Sequence, residues 1–143
     1  MEKKEHLHML CSNMNKSPDE ILQEEFLQER AAVLGRAGDS MSKALEKLHN
    51  IEQKIEACLN RLKEMEAPSG QNGSRHQMIL EINREINKYN QAREYALLRY
   101  YYLIVTREAL GMRRHHWVEQ QYPVPPRKKR RQDIEWIDIQ NNG

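Results

Sequence analysis

The chain is poor in the residues that build sheets, large globular cores and disulfide frameworks. Its 143 residues include one Phe and two Cys, and apolar residues make up 38 % of them, below the roughly 45–50 % of ordinary globular domains. Cys11 and Cys58 lie far apart and outside any CxxC spacing, which favours free thiols in a reducing compartment. No run of about 18 apolar residues occurs, so we expect no membrane-spanning helix. The first sixteen residues are charged from the start, which predicts no secretory signal.

The sequence also lacks the usual signatures of catalysis. Its six histidines show no metal-ligand spacing with the two cysteines. Its glycines fall where helices are expected to break, not in a phosphate-binding loop, and no GxSxG pattern occurs. Neighbouring carboxylates such as Glu24 and Glu25 belong to an exposed helix face. We therefore expect no enzyme activity, no catalytic residue, no cofactor, no metal site and no small-molecule substrate.

What the chain does contain is apolar spacing that alternates between three and four residues. Because the mean repeat is about 3.5 residues, one face of each helix keeps facing a partner helix, as in a coiled coil. We call the helix face formed by these repeating positions the seam. In the second segment, two of the seam positions are arginines. The first segment comprises Met41, Ala44, Leu48, Ile51, Ile55, Cys58, Leu62 and Met65, and the second comprises Ile79, Ile82, Ile86, Tyr89, Arg93, Ala96, Tyr100, Leu103, Arg107 and Leu110.

Capping signals predict the helix boundaries. Ser17-Pro18-Asp19-Glu20 combines an N-cap, a first-turn proline and a capping box, so a helix is expected to start there. Gly35 and Gly38 predict its end near residue 34. Two longer helices are then expected over about 39–67 and 75–110, with Gly111 as the stop. The short Gly/Ser/Pro-rich segment 68–74 between them favours an antiparallel hairpin.

The predicted fold class is therefore all-α. It consists of a long antiparallel helical hairpin of coiled-coil type, a shorter N-terminal helix, and a disordered basic C-terminal tail. The corresponding domains are a flexible N-terminus over 1–16, a helical domain over 17–111 and a tail over 112–143. Residues 1–111 hold 16 Lys/Arg and 17 Asp/Glu, whereas residues 112–143 hold 7 and 4, so the tail carries the positive charge.

The seam and the aromatic end of the third helix are the predicted surface for helical partner subunits, in a homo- or hetero-oligomer. Tyrosine offers a large apolar area with a polar tip and is enriched at interfaces. Arg93 and Arg107 would pair with Glu25, with Glu52 or with a partner chain. The predicted interface residues are Leu48, Ile51, Ile55, Leu62, Ile82, Ile86, Tyr89, Tyr100, Tyr101, Tyr102 and Leu103.

The basic run at 127–131 resembles a nuclear localisation signal, and an upstream arginine pair gives it a two-part form. A proline-rich spacer at 121–126 keeps it out of a helix and accessible to an import receptor. The alternatives are a solvated charge run, a weak salt-dependent nucleic-acid contact, or a PxxP ligand for an SH3 domain. The import-signal residues are Arg113, Arg114, Arg127, Lys128, Lys129, Arg130 and Arg131.

Acidic and apolar residues alternate at 133–139, which is typical of a peptide that adds a strand to a partner's sheet. Ile134, Trp136 and Ile139 would be its docking side chains, loosely like autophagy-receptor or SUMO-interacting peptides. Alternatively, the segment folds back on the helices. The whole pattern predicts a coiled-coil adaptor or structural subunit of a nuclear, chromatin-linked complex, shuttling with the cytoplasm. The rivals are a nucleic-acid binder acting through the tail and a cytoplasmic trafficking or autophagy adaptor.

Overall fold

The structure, a computed structural model, describes residues 15–65 and 72–131. This part of the chain contains no strand and three helices: α1 over Pro18–Glu64, α2 over Asn72–Ala109 and α3 over His116–Gln121. Helices α1 and α2 pack against each other, with the buried residues of α1 between Met41 and Leu62, so the all-α hairpin is confirmed. Residues 112–131 return over the hairpin and include α3. No helix within these two ranges is long and apolar enough to span a bilayer.

Both predicted capping signals are present at the helix ends. At the start of α1, the Glu20 backbone N–H donates to Ser17 Oγ at 3.3 Å, and the Ser17 N–H donates to Glu20 Oε2 at 3.1 Å. After α2, Gly111 takes a φ of +85°. Its N–H donates to Glu108 O, and the Met112 N–H donates to Arg107 O, both at 2.9 Å. This pair of bonds is a Schellman motif, which needs a residue such as glycine in the left-handed region.

The hairpin core is built from the seam that the sequence predicts. Full burial of a large aliphatic or aromatic side chain contributes about 1.5–3 kcal/mol, so this row supplies most of the packing energy. On α2, Ala92 replaces Arg93 as the residue that faces α1. Burial also raises the pKa of the Cys58 thiol, which packs as a small apolar group. The buried residues of the two helices are Met41, Ala44, Leu48, Ile51, Ile55, Cys58, Leu62, Ile79, Ile82, Ile86, Tyr89, Ala92, Ala96 and Leu103.

The expected separate N-terminal helix does not occur, because α1 continues unbroken through Gly35 and Gly38. A glycine inside a helix costs only about 1 kcal/mol relative to alanine. That penalty is small beside the burial of Met41 and the rest of the seam immediately after it. Gly38 also has a packing role, since an added Cβ would lie 3.2 Å from Tyr122 Oη, whereas nothing lies within 4 Å of a Cβ at Gly35.

The expectation of a disordered tail does not hold for residues 112–131. Val118 of α3 is 0 % exposed and belongs to the hairpin core, and Tyr122 and Val124 pack against that core. Trp117 and Tyr122 meet edge to face, with ring centroids 6.3 Å apart. The expectations for residues 1–14 and 132–143 lie outside the described residues.

We predict that Gly35→Ala raises the free energy of unfolding by about 0.5–1 kcal/mol, because it removes a helix-interior glycine from open space. Gly38→Ala should gain less or lose stability, since its Cβ presses on the Tyr122 hydroxyl. Urea denaturation of both variants measures the difference. In Gly38→Ala/Tyr122→Phe the contacting oxygen is gone, so the gain relative to Tyr122→Phe alone should match that of Gly35→Ala. Equal gains in the two single variants would contradict the contact.

Candidate interaction surfaces

Residues 125–131 lie extended along α2 and bond to three asparagines, Asn83, Asn87 and Asn90, which we call the asparagine row. The Asn90 side-chain Nδ2 donates to Lys128 O at 3.0 Å, and its Oδ1 accepts the Lys128 N–H at 2.9 Å. Asn83 makes the same pair of bonds to Arg131, at 2.9 and 2.8 Å. Each of these two amides therefore satisfies both backbone groups of one residue.

Two further side-chain bonds hold the same segment. Arg93 Nε donates to Pro125 O at 2.7 Å, and Arg130 Nε donates to Asn87 Oδ1 at 3.3 Å. The backbone contacts recur at every third residue of the segment, which runs antiparallel to α2.

The spacing of these contacts fits both the rise of an extended chain and the rise of a helix. Three residues of polyproline-type chain advance about 9.3 Å. The seven residues of α2 from Asn83 to Asn90 advance about 10.5 Å. Lys128 and Arg131 are three residues apart, so a row of amides with a seven-residue spacing reaches both of them. The helix is therefore in register with an extended peptide.

Lys128 is the one cation of the run that turns inward. Its Nζ lies 3.0 Å from Glu52 Oε1 on α1 and 4.9 Å from the centroid of the Tyr89 ring on α2. A cation over an aromatic face is attracted by the ring quadrupole, and the carboxylate adds a charge-assisted bond. The Lys128 side chain is 30 % exposed, so water screens this pair less than it would a free surface pair. Lys128 thus joins the basic segment to both long helices.

Tyr89 forms the floor of this pocket and is 1 % exposed. Burial raises the pKa of its phenol, and Glu52 raises it further, while Lys128 lowers it by a smaller amount. Burial likewise raises the pKa of Tyr100, with Glu119 as the second cause.

The other cations of the predicted import signal face solvent. Lys129, Arg130 and Arg131 are exposed. Arg127 is also exposed, with its guanidinium 3.9 Å from Glu94 Oε1. The upstream pair, Arg113 and Arg114, is exposed as well. The run is therefore ordered along its backbone while most of its charge stays accessible.

The two seam arginines bond to the returning segment and not to Glu25 or Glu52 as expected. Arg93 reaches the Pro125 carbonyl, with Glu94 Oε1 at 3.5 Å. Arg107 donates to Arg114 O at 3.0 Å and to His115 Nδ1 at 3.4 Å. A guanidinium presents five donors and no acceptor, which suits it to backbone carbonyls.

Most of the predicted interface residues lie inside the hairpin and are not presented to a partner. Leu48, Ile51, Ile55, Leu62, Ile82, Ile86, Tyr89 and Leu103 are all buried. Tyr100 is half-buried, whereas Tyr101 is 65 % exposed and Tyr102 is also exposed. Arg99 lies over the rings of Tyr95 and Tyr102, at 4.9 and 5.7 Å from their centroids.

A different apolar surface is exposed where α1 extends past α2. Arg30 of α1 donates to the Leu110 carbonyl at the end of α2, so the first three turns of α1 lie beyond that end. Their large apolar side chains are exposed, and further exposed ones lie on the last turns of α2 and on α3. We call this set the open-end surface: Leu22, Phe26, Leu27, Val33, Leu98, Tyr101, Tyr102, Val105 and Trp117.

The asparagine row is the feature that sequence reasoning missed, although the sequence carries a signal for it. Each of three consecutive seam residues is followed directly by Asn, in the pairs Ile82-Asn83, Ile86-Asn87 and Tyr89-Asn90. Asparagine is unfavourable inside a helix, so three at one offset from the seam indicate a separate role. The predicted docking residues Ile134, Trp136 and Ile139 lie outside the described residues.

Comparison of the chain with protein-family models, with curated proteins and with solved structures gives no match. Among residues 15–65 and 72–131, no group of three or more His, Cys, Asp or Glu is placed to hold a metal ion.

We predict that Tyr89→Phe reduces the loss of stability at alkaline pH. The folded-state pKa of Tyr89 is raised, so its contribution is complete below the unfolded value of about 10 and disappears as the pH rises through the folded value. The free energy of unfolding from urea titrations at pH 8 to 11.5 measures the effect, and Tyr101→Phe, which alters an exposed tyrosine, is the matched control. A Tyr89→Phe curve parallel to the wild-type curve would refute the prediction.

Proposed function

We propose that the chain is a non-enzymatic coiled-coil adaptor or structural subunit of a multiprotein nuclear, chromatin-linked complex, which holds a helical partner on its open-end surface. The observation that carries the proposal is the exposure of this surface. Phe26 is 59 % exposed and Tyr101 is 65 % exposed, whereas most of the apolar seam residues are buried. On α1 and on α2 these side chains lie within a few turns of one another, and exposed apolar patches are typical of interaction sites.

The spacing on α1 favours a helix as the partner. Leu22, Phe26 and Val33 are separated by four and seven residues, so they form one stripe along α1. Within the described residues no other element covers this stripe. A helix with one apolar stripe binds by laying that stripe against the apolar face of another helix. A second copy of this chain and a different helical subunit both satisfy that requirement.

The acidic residues beside the stripe indicate which kind of partner helix would bind there. Glu24, Glu25 and Glu29 are exposed on the same turns of α1 as Phe26. An acidic rim around an apolar stripe complements a helix that carries Lys or Arg beside its own apolar face. The rim would set association rate and orientation, whereas the apolar contact would supply most of the affinity.

The nuclear location rests on the basic run. Exposed cations at Arg127, Lys129 and Arg130 and the preceding prolines are what a receptor for extended basic peptides requires. Nucleic-acid binding through the same run has less support. Lys128 is committed to Glu52 and Arg127 lies near Glu94, so carboxylates of the hairpin already offset part of the charge.

We predict that Phe26→Ser/Tyr101→Ser lowers recovery of protein partners from nuclear extract by about tenfold or more, as expected for loss of central apolar contacts. Leu80→Ser is the matched control, because Leu80 is also exposed, at 44 %, but lies near the other end of α2. Thermal unfolding should be unchanged in both variants, since none of the three side chains is in the core. Equal recovery from both variants would refute the proposed surface. Recovery of nucleic acid alone, lost as salt rises, would favour the tail as the functional element.

We also predict that Arg127→Ala/Lys129→Ala abolishes nuclear accumulation of a fluorescent fusion too large to diffuse through the pore. These two side chains are exposed, and their replacement leaves the backbone bonds to the asparagine row intact. Lys54→Ala/Lys63→Ala, which removes two exposed lysines of α1, is the control for net charge. Unchanged accumulation of the Arg127/Lys129 variant would refute the import signal.

A further inference from the structure

The basic run has one property that a free import signal would not have: its backbone is already bound. The N–H and C=O groups of Lys128 and Arg131 are paired with Asn90 and Asn83. The carbonyl of Pro125 is paired with Arg93. Residues 32 to 48 positions apart in the sequence thus meet through main-chain groups of the run and the side chains of Asn83, Asn90 and Arg93.

We propose that the asparagine row, with Arg93, Glu52 and Tyr89, is a binding site for an extended basic peptide, that residues 125–131 of the same chain occupy it, and that this occupancy withholds the basic run from an import receptor. The inference rests on the proposed import function and adds its regulation.

The site recognises an extended backbone. An amide side chain that takes both the N–H and the C=O of one residue does what a neighbouring strand does in strand addition. The proline positions agree with this arrangement. Pro125 has no N–H and offers only its carbonyl, which is the group that Arg93 takes, while the two N–H donors used belong to Lys128 and Arg131. The site therefore accepts a polyproline-type start and requires non-proline residues three and six positions later.

The site also selects a cation at one position. The Lys128 ammonium occupies a pocket between the Glu52 carboxylate and the face of the buried Tyr89 ring. A neutral or acidic side chain there would leave Glu52 without its partner at the edge of the core. The adjacent cations, Arg127 and Lys129, are exposed. The pocket therefore selects one side chain, whereas Asn83 and Asn90 bind the backbone.

Occupancy of this site and binding to a receptor are mutually exclusive. A receptor that takes the run as an extended peptide needs its backbone and its lysine stem, both of which face α2 in this structure. The apparent affinity of a receptor falls by the fraction of chains in which the run is released. Val118 and Tyr122, which pack in and against the core just upstream, hold the segment close to α2 and so keep its effective concentration high.

The contacts are also weak enough to open. Each hydrogen bond contributes only about 0.5–1.5 kcal/mol net, and those of 125–131 are part-buried or exposed and lie outside the apolar seam. Their loss leaves the buried rows of α1 and α2 intact. Release of the run is therefore a local opening and not an unfolding of the hairpin.

The test uses the full-length chain and the variant Asn83→Ala/Asn90→Ala, with Asn50→Ala/Asn60→Ala, two exposed asparagines of α1, as the matched control. Amide hydrogen exchange by NMR reports directly whether Asn83 and Asn90 bind the backbone of the basic run. In the wild type and the control, the Lys128 and Arg131 amides should exchange at least about tenfold more slowly than the Lys129 amide, because each donates to an asparagine. In the Asn83/Asn90 variant that difference should vanish.

The second readout is the affinity of each protein for a purified import receptor of the class that binds basic peptides, with a synthetic peptide of residues 122–131 as the unmasked reference. The Asn83/Asn90 variant should bind about tenfold more tightly than the wild type, approaching the peptide. Fast exchange of the Lys128 and Arg131 amides in the wild type would show that Asn83 and Asn90 do not hold the run, and would overturn the proposal. If the Asn83/Asn90 variant loses the slow exchange but binds the receptor no more tightly than the wild type, the run is not withheld from the receptor. The proposed import function would still stand. A receptor that binds neither protein nor the peptide would overturn the import function, and masking with it.

Discussion

The seam between α1 and α2 determines where every other surface of the molecule lies. Its mean repeat of about 3.5 residues fixes which face of each helix is buried, and therefore which residues border the buried face. On α2, the residues one position after Ile82, Ile86 and Tyr89 fall along this border. They are Asn83, Asn87 and Asn90, at spacings of four and three, which a single strip of extended chain can follow. A shift of the seam by one residue would bury the amides and lose the segment.

The same geometry explains two arginines that interrupt an otherwise apolar row. Arg93 and Arg107 occupy seam positions at which a coiled coil has an apolar residue, and a lone charge there weakens packing. Here each guanidinium extends to the border of the seam and donates to carbonyls of the returning chain. Ala92 closes the core beside Arg93. The interruptions are thus the attachment points of residues 112–131 and not defects of the hairpin.

The helical period and the capping box are local properties, so the hairpin, the buried seam, the Ser17 start and the Gly111 stop follow from the sequence. The break at Gly35 and Gly38 did not occur, because a penalty of about 1 kcal/mol per glycine is outweighed by packing that a local reading does not count. The order in residues 112–131 was missed for the opposite reason: polar residues that look solvated find partners on α2 that are distant in sequence. The open-end surface was predicted only at Tyr101 and Tyr102, since exposure of α1 depends on where α2 ends.

Helix α3 carries Trp117 of the open-end surface and leads along the chain into the basic run, so its attachment decides whether the open-end surface and the run act independently. Val118 lies in the core and Tyr122 contacts Gly38 of α1, so α3 is attached more firmly than the hydrogen-bonded run that follows it. The proposed partner on Phe26 and its neighbours would therefore bind without moving α3, and the proposed opening of the basic run would leave that partner in place. Trp117 is the exception, because it is the one residue of the open-end surface that lies on α3, where it is exposed. A partner that takes hold of Trp117 would pull on the residues that keep the run in place, and such a partner would couple assembly to release.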